Sequence, residues 1–191
     1  MRQHWDDFRT AGAFLTIFPV ANDVEMTPQR LGRSMGLFPA IGLVIGLGLV
    51  VVNWLLDSLI PRAVLDCLLV LIMIAITGAL HLDGVADLID GLAGGKDREG
   101  ALRIMKDSRV GAMGVVGLVM VLLLKYLCLF HVPLEMKSAA LIFMPTAGRW
   151  MQVCLACYCP YVRLGGVTGD VLGAVTEIVE VLTLLLILAV Y

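Results

Sequence analysis

The stretch H-L-D-G-V-A-D-L-I-D-G, from His81 to Gly91, sets Asp83, Asp87 and Asp90 at i, i+4 and i+7. On a helix this spacing puts three carboxylates on one face, a turn apart. Clustered carboxylates raise one another's pKa unless a cation sits among them. Mg²⁺ suits such a place, because it prefers carboxylates and leaves its other positions to water or substrate phosphates. A metal held this way can bridge a pyrophosphate and neutralise charge on a departing nucleotide. A solvated helix face is the plainer reading. It fits less well, because the aspartates continue an apolar run, and charge at a membrane boundary is usually functional.

Gly94 and Gly95 then break the chain, and Asp97 suits the N-cap of a short helix over Arg98–Ser108. Metal ligands followed by basic residues make a site for a phosphorylated substrate. Lys106 and Arg109, beside Asp107 and Ser108 in M-K-D-S-R-V-G, are the candidates to bind it. Arg98 and Arg103 read rather as topology determinants that meet anionic lipid headgroups.

Two cations, Lys125 and Arg149, fall inside apolar runs, where an unpaired charge is costly. Further on, G-G-V-T-G-D-V-L-G-A-V-T-E (Gly165–Glu177) sets Asp170 and Glu177 on one helix face, with Glu180 nearby and Thr168 just before. Asp170 or Glu177 could complete a metal shell or act as base on an attacking hydroxyl. Pairing of these carboxylates with Arg149 or Lys125 is the competing reading, and the two are compatible.

The elements that must position these groups are membrane helices. Of 191 residues, 60% are hydrophobic and 16% charged, with a mean hydropathy of +0.94. A soluble domain carries about a quarter charged residues. Apolar runs of bilayer-spanning length predict five spans, near Gly36–Leu56, Ala63–Leu80, Val110–Phe130, Ser138–Tyr158 and Val171–Tyr191. His4–Val20 is mildly amphipathic and reads as interfacial or re-entrant. The prediction is an all-α, polytopic helix bundle of about 5–6 transmembrane helices, one domain over 1–191, with a charged loop at 81–109.

If the spans alternate, ten basic residues fall on the side of the N-terminus and the 81–109 loop, and only Arg62 and Lys137 on the other. The positive-inside rule then makes the loop cytoplasmic. A net charge of −2 suggests no nucleic-acid partner, and the N-terminus does not read as a secretory signal. Cys154, Cys157 and Cys159 form C-x-x-C-x-C, which reads as small hydrophobes in a membrane helix ahead of a metal site.

The motifs together resemble the cobalamin synthase family, the adenosylcobinamide-GDP ribazoletransferases. The resemblance rests on F-L-T-I-F-P-V (Phe14–Val20), L-F-P-A-I-G (Leu37–Gly42), G-A-L-H-L-D-G-V-A-D-L-I-D-G (Gly78–Gly91), I-M-K-D-S-R-V-G (Ile104–Gly111) and the Gly165–Glu180 stretch, in that order. It implies a bacterial inner-membrane enzyme that joins α-ribazole, or its 5′-phosphate, to adenosylcobinamide-GDP and releases GMP with Mg²⁺. Asp83, Asp87 and Asp90 would then hold the metal. His81, Lys106, Asp107, Ser108, Arg109, Arg149 and Thr168 would contact substrate. Topology, rather than the resemblance, adds Asp170 or Glu177 to position or deprotonate the nucleophile. The lipid bilayer is the other partner, and a homo-oligomer is compatible with the sequence. The family carries a further segment after the Arg149 region, where Tyr161-Val162-Arg163 here runs almost straight into Leu164-Gly165-Gly166. A CDP-alcohol phosphotransferase fits worse, because Gly94 and Gly95 stand where Ala and Arg are expected. An ion carrier or channel would use Lys125, Arg149, Glu177 and Glu180, but offers no reason for the acidic loop beside a basic helix.

Overall fold

A computed structural model describes residues 2–158 and 168–191. Among them are nine α-helices and a short 3₁₀ turn, with no strand. An amphipathic α1 (Arg2–Leu15) and a short α2 (Pro28–Ser34) lead through the turn Met35–Leu37 into α3 (Phe38–Leu56). Then come α4 (Arg62–Thr77), α5 (Leu80–Gly94), α6 (Arg98–Met105), α7 (Ala112–His131), α8 (Leu134–Tyr158) and α9 (Gly169–Val190).

Four helical stretches are long and apolar enough to cross a bilayer, and a fifth if α4 and α5 count as one broken element. The outward faces of these helices carry Val44, Trp54, Val119, Leu123, Leu182 and Leu186, all exposed. In water this would be a large apolar patch; against lipid it is the expected surface. The protein is a polytopic helical membrane protein, as the hydropathy predicts.

The acidic segment does not continue the second span. At Gly78 and Ala79, both at φ 59°, the chain turns, and α5 leaves at 90° to α4. Glycine adopts this left-handed conformation freely; for alanine it is strained. Only together are α4 and α5 long and apolar enough to span, and α5 turns across the line of α4.

Contacts define two ends. At one, Gly84 of α5 abuts Asp170 of α9, Gly173 of α9 abuts His81, and Gly111, just before α7, and Gly114 of α7 abut Asp90. The Ile17 amide, just after α1, donates to Ile76 O at 2.8 Å at the same end. At the other end, Arg62 donates to Val132 O, and Lys137 pairs with the buried Asp66 at 2.5 Å while donating to Leu129 O. The two far-side basics are therefore both taken up by the fold.

Between the ends, α3 and α8 pack backbone to backbone. A β-carbon on Gly42 would lie 2.6 Å from Pro145 O, and one on Gly46 would lie 2.7 Å from Ile142 Cα. This is small-residue packing, in which close approach replaces the hydrophobic drive that lipid cannot supply. Leu15, Leu49, Leu69, Leu129, Leu141 and Leu184 fill the core around it.

Candidate active site

Asp83, Asp87 and Asp90 do share α5, but their surroundings differ. Asp83 is exposed, whereas Asp87 and Asp90 are half-buried. Both Asp90 oxygens accept backbone bonds from the start of α7, Gly111 N at 2.6 Å and Gly114 N at 2.7 Å. A carboxylate at a helix N-terminus satisfies orphan N–H groups and complements the dipole. Asp90 thus joins α5 to α7.

Asp87 has no such partner. Its carboxyl is pushed up to about 6, by burial first and then by the charges of Asp83, Asp170 and Asp90. Asp170 reaches this group because α9 begins against the middle of α5, where Gly84 leaves no side chain between the backbones. The site thereby gathers negative charge from two segments far apart in sequence. Among the described residues, no three carboxylate, imidazole or thiolate groups close on a common point as a complete metal shell. Cys154 and Cys157 are free thiols, and Cys159 lies outside the described residues.

Beside the carboxylates, a cavity of about 220 Å³ opens between α1, α2, α3, α5, α8 and α9. Its polar wall is His81, Asp83, Gln152 and Asp170. His81 and Gln152 are buried, at 1% and 5% exposure, and His81 Nε2 and Gln152 Oε1 have no protein partner. Gln152 is not among the residues that the motifs single out. Its signal was there: a polar residue in an apolar span, one helical turn from a buried cation.

Behind the cavity runs a buried charge chain. His81 Nδ1 faces Arg149 Nη2 at 3.4 Å. The Arg149 guanidinium donates to Glu180, Lys125 Nζ donates to Glu180 Oε2 at 2.6 Å, and Lys125 also donates to Glu177. Two cations and two anions balance, as buried charges must. Arg149 and Glu177, read from sequence as substrate-binding and catalytic candidates, are thus held in this chain; neither lines the cavity. Thr168 caps α9, its Oγ1 accepting from Val171 N at 3.2 Å.

The M-K-D-S-R segment sits apart from the cavity. Arg109 Nη2 donates to Asp107 Oδ2 at 2.7 Å, and the pair lines a shallow groove with Asp90. This partner holds Asp107 below the usual carboxylate range. Lys106 and Ser108 are exposed at the end of α6. The structure therefore brings together His81, Asp83, Asp87 and Asp170, adds Gln152, and sets Asp107 and Arg109 around the corner beside Asp90.

The family model of cobalamin-5-phosphate synthase matches residues 7–163. Among relatives named adenosylcobinamide-GDP ribazoletransferase, one from Geotalea daltonii is 38% identical over 234 positions, covering 93% of this chain and 94% of the relative. One from Syntrophobacter fumaroxidans is 31% identical, with 94% and 97% covered. One from Pseudomonas putida is 41% identical over 160 residues, which is 83% of this chain and 66% of the relative. No solved structure matches the chain. The Geotalea alignment is longer than the 191 residues here, so that relative has positions with no counterpart. The junction at which the sequence reading places the departure, Arg163 to Leu164, lies outside the described residues.

Proposed function

The chain belongs to the cobalamin-5-phosphate synthase family, and we propose that it transfers the cobinamide phosphate of adenosylcobinamide-GDP to α-ribazole, or to its 5′-phosphate, releasing GMP. The observation that carries this reading is the meeting of the α5 aspartates with Asp170 at a cavity whose polar wall Asp83 and Asp170 share with His81 and Gln152.

Asp83 and Asp87, one turn apart on α5, are the residues that would hold Mg²⁺, with Asp170 across from them. Mg²⁺ is commonly bound through one or two carboxylates and completed by substrate phosphates, so a full protein shell is not required. The excess negative charge felt at Asp87 is what such a cation would relieve. Bound there, it would supply charge neutralisation to the pyrophosphate.

The chain's own residues supply the rest. Asp170, on the cavity wall, takes the proton of a ribose hydroxyl. That oxygen forms a bond to the phosphorus next to the cobinamide aminopropanol, and the phosphorus–oxygen bond to GMP breaks, its electron pair leaving with GMP. Glu177 is tied to Lys125, which supports Asp170 as the base. Lys106 and Arg109 offer positive charge to the phosphates from outside the bundle. The enzyme would lie in the bacterial cytoplasmic membrane, as a single catalytic domain with its α5 end in the cytoplasm, where the sequence concentrates Lys and Arg.

The test uses the full chain in lipid nanodiscs with adenosylcobinamide-GDP, α-ribazole and Mg²⁺. GMP release matched by cobalamin, abolished by chelator and by Asp87→Ala, is the expected result. GMP release that is insensitive to both would overturn the reading.

A further inference from the structure

The cavity beside the carboxylates has a chemistry of its own. Arg149 has only N–H donors, so the His81 Nδ1 that faces Nη2 at 3.4 Å can only accept. A neutral imidazole that accepts at Nδ1 carries its proton on Nε2. The donor His81 has left is therefore Nε2–H, which is buried and has no protein partner. Gln152 lines the same cavity, and its amide oxygen is likewise a buried acceptor without a protein partner. Buried polar groups cost stability unless something bonds them. A group that answers both must accept one hydrogen bond and donate another, as a hydroxyl does.

The rest of the lining is largely apolar and partly aromatic, including Phe14, Leu31, Met35, Phe38, Leu80 and Leu172. That surface suits a flat heterocycle. A volume of about 220 Å³ is smaller than the usual pocket for a whole ligand, on the order of 300–1,000 Å³. A compact group such as a nucleoside comes nearer to that volume than a corrin or a nucleoside diphosphate conjugate does. Asp83 and Asp170 stand at the polar side, so an anionic group is disfavoured inside and a neutral one is favoured.

We propose that this cavity is the subsite of the acceptor nucleoside, with its base against Phe14 and Phe38 and a ribose hydroxyl held between His81 Nε2–H and Gln152 Oε1. The proposal rests on the transferase reading and adds which substrate enters here, and through which atoms. Gln152 and His81 are then specificity-determining residues for the acceptor, and Asp170 beside them meets the hydroxyl that reacts. Arg149 and Glu180 act one step back, by fixing the His81 tautomer.

The test measures KM separately for α-ribazole and for adenosylcobinamide-GDP, on the full chain in nanodiscs. Gln152→Leu keeps the volume and removes the acceptor. It is expected to raise the KM for α-ribazole about tenfold, the scale of one lost buried hydrogen bond, and to leave the KM for the cobinamide substrate within about twofold. Met35→Trp, which fills the apolar half, is expected to raise the acceptor KM in the same selective way, and it decides the matter if Gln152→Leu does not fold. An unchanged acceptor KM in folded variants, or an equal rise for both substrates, would overturn the subsite. A wild type that makes no product would overturn the transferase reading, and this subsite with it.

Discussion

Gly84 of α5 rests directly on Asp170 of α9: a β-carbon at Gly84 would come 3.0 Å from Asp170 Cα and still nearer its carbonyl oxygen. The two segments that carry the acidic groups are in register because one residue there has no side chain. Both partners of the clash are backbone, so neither can swing aside.

Gly84→Ala must therefore push α9 away from α5. Overpacking of this kind costs about 1–3 kcal/mol, and a displacement near 1 Å at a reacting group costs on the order of a hundredfold in rate. The expected outcome is a folded protein of modestly lower thermal stability, with kcat/KM down about a hundredfold. Gly32→Ala, whose β-carbon meets nothing within 4 Å, serves as the control in the same transfer assay.

The aspartates of α5 should separate by role. Asp90 spends both oxygens on Gly111 and Gly114, so Asp90→Ala loses a helix cap and its tie to α7, about 2 kcal/mol of stability. Asp87 has no such bonds, and at neutral pH without metal its charge is a cost to the fold, so Asp87→Asn should hold or raise thermal stability while lowering kcat on the order of a hundredfold or more. Unfolding midpoints and rates for both variants give the answer. Equal stability losses would refute the division.

Much of this arrangement was readable in advance, and the residues show why. The crossing helices α3, α7, α8 and α9 begin and end within a few residues of their predicted bounds, because hydropathy over about 20 residues is a strong signal. Asp97 was legible as a cap, and it does accept from Gly100 N at 2.7 Å. The 90° turn at Ala79 was not legible, since a left-handed alanine is imposed by packing, not by local preference. Nor was the Asp90 cap, which joins residues more than 20 apart. Convergence of Asp170 on the α5 aspartates followed from topology alone. Burial of Arg149 and Glu177 behind the cavity needed the helix rotations that only the folded bundle supplies.

The pH dependence should follow Asp87. Its carboxyl titrates at about 6 in the folded protein against 3.8 in its ordinary state, so between these values the folded chain binds more protons than the unfolded one. Without metal, the contribution of Asp87 to stability is fully present below pH 3.8 and is lost as pH rises through about 6. Cation binding runs the other way, because it needs the carboxylate. Half-maximal activation by Mg²⁺ should require about tenfold more metal at pH 5 than at pH 7. Metal titrations of wild type and Asp87→Asn at both pH values test this, and the variant should lose the pH dependence.

The buried chain from His81 to Glu177 gives the last prediction. Glu180 receives both Arg149 and Lys125 and is fully buried. Glu180→Gln leaves two cations against the single carboxylate of Glu177. Breaking a buried ion pair by removing one partner costs about 3–5 kcal/mol, so this variant should be among the least stable that still inserts. Removing Arg149 as well restores the balance: Lys125 and Glu177 remain as one cation and one anion. Arg149→Met combined with Glu180→Met should therefore recover most of the lost stability, since apolar residues of similar volume can replace a buried pair at little cost. It should not recover affinity for α-ribazole, because His81 then has no donor at Nδ1 to fix its proton on Nε2. Thermal unfolding in nanodiscs reads the first effect and the acceptor KM the second. A double variant as unstable as Glu180→Gln would mean that the chain does more than balance charge.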